Sequence, residues 1–153
     1  MPEIRPIQAV LFDLGFTLIN FEGDFHAVMN ASYLILAESL RAAGYPFPAR
    51  EFADHFNAVI SQYYRDRETD LIERPVEQYL LQVLASYGFT DPPLEAVQRS
   101  LQDMYRMTEN YWQLEDDTLP VLEELQHQGY RLGLVSNGAN AENTNRLIDR
   151  FGL

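Results

Sequence analysis

The sequence predicts an α/β fold in which two short parallel strands flank an inserted bundle of helices. Two apolar segments, residues 8–12 and 130–135, each end in a polar residue followed by a turn, which is typical of strands in an open α/β sheet. Between them, residues 21–112 carry apolar side chains at helical spacing. These amphipathic faces must be buried against one another, which predicts a compact helical bundle.

The first strand, predicted over residues 8–12, delivers Asp13 to its carboxyl end. Gly15 then allows the chain to turn sharply, and Thr17 supplies a hydroxyl nearby. In open α/β sheets the carboxyl ends of the strands border the crevice where ligands bind. A carboxylate in that position can act as a covalent nucleophile, although an Asp that merely caps the loop would give the same local pattern.

Four amphipathic helices are predicted after a short polar connection at residues 20–24, with Asp24 as the cap of the first. Gly and Pro residues set their ends. The segment 65–70 is rich in charge and is expected to link the second helix to the third. The predicted helices cover residues 25–43, residues 49–65, a stretch from Pro75 to just before Gly88, and a stretch after Pro93.

The last part of the chain predicts a helix over residues 119–129, a second strand, and a final helix over residues 139–151. The second strand ends at Ser136, and the pair Asn137-Gly138 forms a turn. The expected organisation is therefore a first strand in residues 1–20, a helical region in residues 21–112, and a helix–strand–helix region in residues 113–153.

The composition excludes several classes of function. The chain has 153 residues, 46% hydrophobic and 22% charged, with a net charge of −12, so it lacks the basic surface that nucleic acid requires. Cys is absent, and all eleven basic residues are Arg. No apolar run reaches the roughly 18 residues of a membrane helix, and residues 1–6 do not form a basic leader. We therefore expect a soluble, cytoplasmic protein with no nucleic acid or membrane partner.

Two motifs together resemble the haloacid dehalogenase (HAD) superfamily of hydrolases. Asp13-Leu-Gly15-Phe-Thr17 after the first strand is similar to the Asp-x-Asp-Gly-Thr of that family, and Leu134-Val-Ser136-Asn137 is similar to its second motif. The helix at residues 119–129 resembles the one that leads into the second motif. The resemblance implies a Rossmann-like core, of which strands one and two are assignable, and a C1-type helical cap at residues 21–112.

The resemblance also implies a role for each matching residue. Asp13 would be the nucleophile and a Mg²⁺ ligand, and the carbonyl of Gly15 would be a second ligand. Thr17, Ser136 and the backbone amide of Asn137 would bind the phosphoryl group of a small phosphorylated metabolite. The implied reaction is that of a Mg²⁺-dependent phosphatase with an aspartyl-phosphate intermediate. Magnesium suits this role because it takes carboxylate and phosphate oxygens while it retains water ligands.

The chain departs from the family pattern in two ways. Gly15 stands where the phosphatases of the family have a general acid, and a missing general acid costs a rate factor of about 10²–10⁴. The third and fourth motifs, which bring a Lys and metal-binding acids, do not follow the last predicted helix. We therefore expect a fragment of a longer protein, or a chain completed by another copy or a partner, with weak or no activity by itself.

Two other functions stay open at this stage. Gly15 also fits a metal-independent 2-haloacid dehalogenase-like hydrolase, whose halide would be received by a cap Arg such as Arg41. Arg41 is more simply explained as a solvated charge at a helix end. The third alternative is a non-catalytic binding or regulatory remnant of the fold. The phosphonatase branch of the family needs a cap Lys, and this chain has none.

Other polar and aromatic residues are weaker candidates. Asp116 and Asp117 precede a helix and are more simply caps than metal ligands, and the three His residues are isolated in sequence. The aromatic residues of the inserted region are first explained as bundle core, with Tyr111 and Trp112 the best placed to face a pocket. Finally, two parallel strands leave an apolar edge without a partner, so we expect the isolated chain to self-associate.

Overall fold

The computed structural model describes residues 7–138 and 140–153, which form two compact units. The first unit contains residues 7–22 and 111–137, and the second contains residues 23–110 and the described residues from 138 to 153. The N-terminal residues 1–6 and the predicted start of the last helix at Ala139 lie outside the described residues. In chain order the elements are β1 (Ala9–Phe12), β2 (Ile19–Phe21), α1 (Phe25–Ala42), α2 (Ala49–Asp70), α3 (Val76–Ser86), α4 (Leu94–Glu109), β3 (Trp112–Leu114), α5 (Thr118–His127), β4 (Arg131–Leu134) and α6 (Ala141–Phe151).

The first unit contains the two predicted strands as a parallel pair. β1 and β4 run in register from Ala9 opposite Arg131 to Phe12 opposite Leu134. Within this pair the side chain of Leu11 lies over Gly133, where a Cβ would come 2.7 Å from one of its methyl carbons. α5 immediately precedes β4, as the sequence predicted.

A second, antiparallel pair in the first unit was not predicted. β2 pairs with β3, with Phe21 opposite Trp112, and the amide of Glu22 donates to the carbonyl of Tyr111 at 2.7 Å. The predicted polar connection at residues 20–24 is therefore wrong for its first two residues. Three residues are too few to show a period, and the partner strand lies about ninety residues further along the chain.

The second unit contains the four predicted helices α1 to α4, packed around an apolar core. Asp24 caps α1 as predicted, since its carboxylate accepts a hydrogen bond from the amide of Ala27 at 3.0 Å. None of the helices formed by the described residues is both long enough and apolar enough to cross a bilayer. The largest side chains that are fully buried in this core belong to Leu36, Leu40, Phe52, Phe56, Leu80, Leu84, Leu101 and Met104.

α2 is one and a half turns longer than predicted, so the expected charged link at residues 65–70 is wrong. The charged side chains of this run instead form contacts within the helix and with the segment after it. Asp66 accepts a hydrogen bond from Gln62 at 2.7 Å, and Arg67 pairs with Glu73 at 2.9 Å, and these contacts stabilise the helix. The helix ends at Leu71, whose φ of 57° is left-handed.

The hydroxyl of Tyr63 connects the end of α2 to the segment before α3. It donates to a carboxylate oxygen of Glu73 at 2.7 Å and accepts from the amide of Arg74 at 3.1 Å. Pro75, predicted as the first residue of the third helix, is instead the residue that caps it. The hydroxyl of the buried Tyr63 thus has both a donor and an acceptor partner in the segment before α3.

α6 belongs to the helical unit, whereas the sequence analysis assigned residues 113–153 to one region. Arg146 pairs with Glu109 of α4 at 2.7 Å and with Glu142 at 3.1 Å, and Gln102 donates to Glu142 at 2.9 Å. Leu147 is buried on the same helix. The contacts of Arg146 with Glu109 and of Gln102 with Glu142 join residues 37 and 40 positions apart, so they are tertiary and leave no trace in a local pattern.

Candidate functional site

The parallel strand pair brings two loops of the predicted site to one edge of the sheet. Phe12 lies opposite Leu134, and the amide of Val135 donates to the carbonyl of Phe12 at 2.8 Å. Asp13 is therefore the next residue after the last paired position of β1, and Ser136 leaves the sheet at the same carboxyl end. This is the edge at which open α/β folds bind ligands.

The carboxylate of Asp13 is exposed and lightly tethered. One of its oxygens accepts a hydrogen bond from the amide of Leu14 at 2.7 Å. Among the described residues, no other hydrogen bond or ion pair engages this carboxylate. The second oxygen is thus available to an incoming group, as a covalent nucleophile requires.

The loop after Asp13 is compact and has an unusual backbone. The carbonyl of Leu14 accepts from the amides of Leu18 and Ile19 at 2.9 and 3.1 Å, and the amide of Phe16 donates to the carbonyl of Ile19 at 2.6 Å. Phe16 has a φ of 60°, a left-handed conformation that disfavours residues other than glycine. The loop is anchored on one side because the hydroxyl of Thr118 donates to the carbonyl of Leu18 at 2.7 Å.

The other predicted site residues lie in the two loops. Thr17 is exposed, with its amide 3.4 Å from the carbonyl of Leu14; Ser136 is half-buried, and Asn137 is exposed. The carbonyl of Gly15 accepts no hydrogen bond from the described part of the chain. The structure thus gathers the five residues in one unit, while their roles stay predictions.

The metal expected by resemblance has two candidate oxygen donors here. The carboxylate of Asp13 and the carbonyl of Gly15 are both hard oxygen ligands of the kind that Mg²⁺ takes. Residues 7–138 and 140–153 contain no cluster of three or more His, Asp or Glu side chains that would hold a metal by themselves. These two donors fit a Mg²⁺ ion that takes its other ligands from a substrate phosphate and water.

An aromatic group lies beside the loop, and the sequence analysis singled out only two of its members, Tyr111 and Trp112. The ring centroids of Phe16 and Trp112 lie 5.5 Å apart in an edge-to-face arrangement, and that of Phe21 lies 5.2 Å from Trp112 and 5.6 Å from Tyr111. We call Phe16, Phe21, Tyr111 and Trp112 the aromatic wall. The expectation that Tyr111 and Trp112 belong to the bundle core is wrong, because both lie in the first unit. The two strands that hold it have three residues each, so no local pattern in the sequence could have located it.

The weaker candidates have simpler structural roles. Asp117 is the cap residue of α5, Asp116 precedes it, and both are exposed. Arg41, considered as a halide receptor, pairs with Glu38 on the surface of α1 at 3.1 Å. This pairing agrees with the simpler explanation of Arg41 as a solvated charge at a helix end.

Comparison with known proteins supports the fold. No family model and no curated protein matches the chain. Among solved structures, it is similar to YfnB from Bacillus subtilis, described as a HAD-hydrolase bound to magnesium, with a TM-score of 0.50 and 21% identity over 97% of this chain. A dehalogenase is also similar, at a TM-score of 0.42 and 19% identity over 94% of this chain. The chain spans 61% of the length of YfnB and 56% of that of the dehalogenase. The likeness to YfnB shows a HAD-like fold.

Proposed function

We propose that this chain is the nucleophile-bearing part of a HAD-type hydrolase with a C1-type helical cap, and that its reaction is Mg²⁺-dependent hydrolysis of a small phosphorylated metabolite. One observation supports this above the others: the register of β1 and β4 brings Asp13 and Ser136 to the same carboxyl edge. The HAD-like fold of the chain agrees with this arrangement.

The proposed chemistry uses the residues of the two loops. A carboxylate oxygen of Asp13 attacks phosphorus, the bond from phosphorus to the leaving oxygen breaks, and water then hydrolyses the aspartyl phosphate to release inorganic phosphate. The hydroxyls of Thr17 and Ser136 and the amide of Asn137 donate hydrogen bonds to the phosphoryl oxygens. When bound by Asp13 and the Gly15 carbonyl, Mg²⁺ supplies charge neutralisation at the phosphate.

We expect turnover by the 153-residue chain to be slow. Phosphoryl transfer depends on positive charge around the phosphate, and the chain has no Lys. The two predicted site loops, residues 13–17 and 136–137, also contain no Arg. Gly15 provides no proton for the leaving oxygen.

The nucleophile is tested in two ways, by trapping the covalent intermediate and by measuring turnover. The chain is incubated with an aryl phosphate and Mg²⁺, release of the phenol is followed, and hydroxylamine is added to convert any aspartyl phosphate into a hydroxamate that mass spectrometry can locate. We expect the modification at Asp13 and its loss, together with turnover, in Asp13→Asn. Asp116→Asn is the matched control, since it removes an exposed acid of the same unit. Unchanged turnover in Asp13→Asn would remove the proposed nucleophile.

A second candidate reaction is metal-independent dehalogenation of a 2-haloacid. Gly15 favours it, because halide leaves without protonation and a general acid is not needed. Release of chloride from 2-chloropropionate in the presence of EDTA would support this reaction over the phosphatase. Binding of phosphate with neither reaction would indicate a non-catalytic member of the fold.

A further inference from the structure

The site lacks a proton donor at the position where one would protonate the leaving group, and an aromatic ring borders that position. Gly15 is two residues after Asp13, and a Cβ built on it would lie 3.7 Å from the outer edge of the Trp112 ring. That distance is ordinary van der Waals contact. The position two residues after the predicted nucleophile therefore borders an apolar ring and carries no acid.

Phe16 extends this apolar surface into solvent. Its side chain is 68% exposed although it lies directly beside the predicted site, and its backbone is left-handed. The exposure of a large aromatic ring and the left-handed backbone each cost free energy, so this conformation needs compensation from other contacts. The edge-to-face contact with Trp112 and the hydrogen bond from the Phe16 amide to Ile19 supply part of it.

Trp112 is held in place by the antiparallel strand pair. It lies opposite Phe21 in the register, and its ring meets the buried ring of Phe21 edge-to-face at 5.2 Å. The pairing of β2 with β3 thus fixes one ring, and the loop after Asp13 fixes the other. Together they form a preformed aromatic surface, so little side-chain entropy is lost when a planar group binds to it.

The chemistry of the leaving group connects the aromatic surface to the missing acid. A phenol has a pKa of about 10, well below that of an aliphatic alcohol, so a phenolate departs from phosphorus far more readily than an alkoxide without protonation. In the transfer, the P–O bond to the phenol breaks, the phenolate leaves with the electron pair, and Asp13 gains the phosphoryl group. Water regenerates the carboxylate in the second step. No additional reactant is required.

We propose that Phe16 and Trp112 bind the planar leaving group, and that the substrates are phosphate esters of acidic aromatic alcohols. The chemical step of this proposal rests on the proposed function, whereas binding of the aromatic group can be measured without turnover. Phe16 and Trp112 are thereby assigned as residues that determine specificity.

The binding step can be measured directly because Trp112 is the only tryptophan of the chain. Phenylphosphonate and methylphosphonate, which are not hydrolysed, are titrated by calorimetry, and the fluorescence of Trp112 reports contact with the ring. We expect phenylphosphonate to bind more tightly and to change the fluorescence. Phe16→Ala should weaken phenylphosphonate about tenfold, which is the upper range for one aromatic contact, and leave methylphosphonate unchanged. Phe25→Ala, a half-exposed ring of the helical unit, is the matched control.

The kinetic step uses a series of leaving groups with Mg²⁺ present: 4-nitrophenyl phosphate, phenyl phosphate and glycerol phosphate. We expect activity to fall steeply along the series. Gly15→Asp places an acid where the Cβ has room, so it should raise the rate with glycerol phosphate most and flatten the series. Phe16→Ala should raise KM for the aryl esters and leave KM for glycerol phosphate unchanged.

The outcomes separate this proposal from the proposed function. Turnover that depends on Asp13 but shows no preference for aryl over alkyl esters would overturn the aromatic proposal and leave the phosphatase intact. Selective binding of phenylphosphonate that Phe16→Ala weakens, with neither turnover of any ester nor a hydroxamate at Asp13, would support the aromatic surface and count against catalysis by Asp13. Equal binding of the two phosphonates would overturn the aromatic proposal whatever the turnover.

Discussion

Two large apolar residues, Phe16 and Leu71, share a left-handed backbone conformation, with φ values of 60° and 57°. Such a conformation costs a residue with a Cβ about 1–2 kcal/mol. Phe16 recovers part of this cost through its contact with Trp112. Leu71 closes α2, its amide donates to the carbonyl of Arg67 at 2.9 Å, and its side chain is 84% exposed. The hydrogen bond at Leu71 needs only the backbone, so any residue that tolerates the conformation should serve there.

Leu71→Gly should therefore stabilise the protein. Glycine adopts the left-handed region without the steric cost of a Cβ, and this gain exceeds the entropy that glycine adds to the unfolded chain, so we expect about 0.5–1 kcal/mol more free energy of unfolding. Leu71→Ala is the control, because it removes the exposed side chain and keeps the Cβ. Urea unfolding followed by circular dichroism measures both variants. Equal stability of the two would show that the backbone conformation is not the cause.

At the residue scale the sequence predicted that Asp13 and Ser136 follow the ends of two paired strands, but not the aromatic contact beside Asp13. A carboxylate and a hydroxyl at strand ends are visible in sequence because their neighbours along the chain define the strands. The contact of Phe16 with Trp112 joins residues almost one hundred positions apart. It depends on the pairing of β2 with β3, which no local pattern of three residues specifies.

Among the secondary-structure elements, α1 and α4 contain two tyrosines whose hydroxyls are difficult to ionise. Burial is the main cause that raises the pKa of Tyr33, on α1, and of Tyr105, on α4, above the ordinary value for a phenol. Neighbouring phenols add to the effect, since Tyr64 raises both pKa values and Tyr33 also raises that of Tyr105. An ionised phenol in the bundle would lose its hydration, so the folded state favours the neutral form.

This predicts loss of helical structure at alkaline pH. The contribution of each tyrosine is fully present below the unfolded pKa of about 10 and is lost as the pH rises from there towards the higher pKa of the folded state. We expect ellipticity at 222 nm to fall together with a rise in tyrosinate absorbance at 295 nm. Tyr105→Phe should move the midpoint to higher pH, whereas Tyr130→Phe in the other unit should not. Ionisation of all tyrosines well before the helices unfold would contradict the prediction.

The extent of the helices shows which element boundaries a sequence can predict. Asp24 and the glycine at position 44 define the ends of α1, because caps act through their own residue type. The end of α2 was misplaced because a charged run is compatible with both a solvated link and a helix. Arg67 contacts residues on both sides of this boundary: its guanidinium lies 5.0 Å from the ring centroid of Tyr64 one turn back on the helix, and it pairs with Glu73 beyond the helix end, a contact that only the folded turn provides.

For the whole molecule, two opposing forces act on association. The net charge of −12 repels a second copy, with a range of about 10 Å at 0.1 M salt. Against this, the parallel pair of β1 and β4 has no third strand among residues 7–138 and 140–153, and apolar residues beside it are exposed. Leu11 is 67% exposed, and Ile7 and Val135 are similarly exposed. Unpaired strand edges with apolar side chains promote association.

We therefore predict that the chain self-associates through the first unit and that added salt strengthens the association, since salt screens the repulsion and leaves the apolar contact in place. Sedimentation velocity at micromolar concentrations, at 0.05 M and 0.5 M NaCl, measures it. Leu11→Glu places a charge on the exposed strand and should shift the protein towards monomer at both salt concentrations. Leu94→Glu, at an exposed apolar position of the helical unit, should leave the distribution unchanged. A wild-type chain that sediments as a compact monomer at every concentration would show that this strand pair does not drive association.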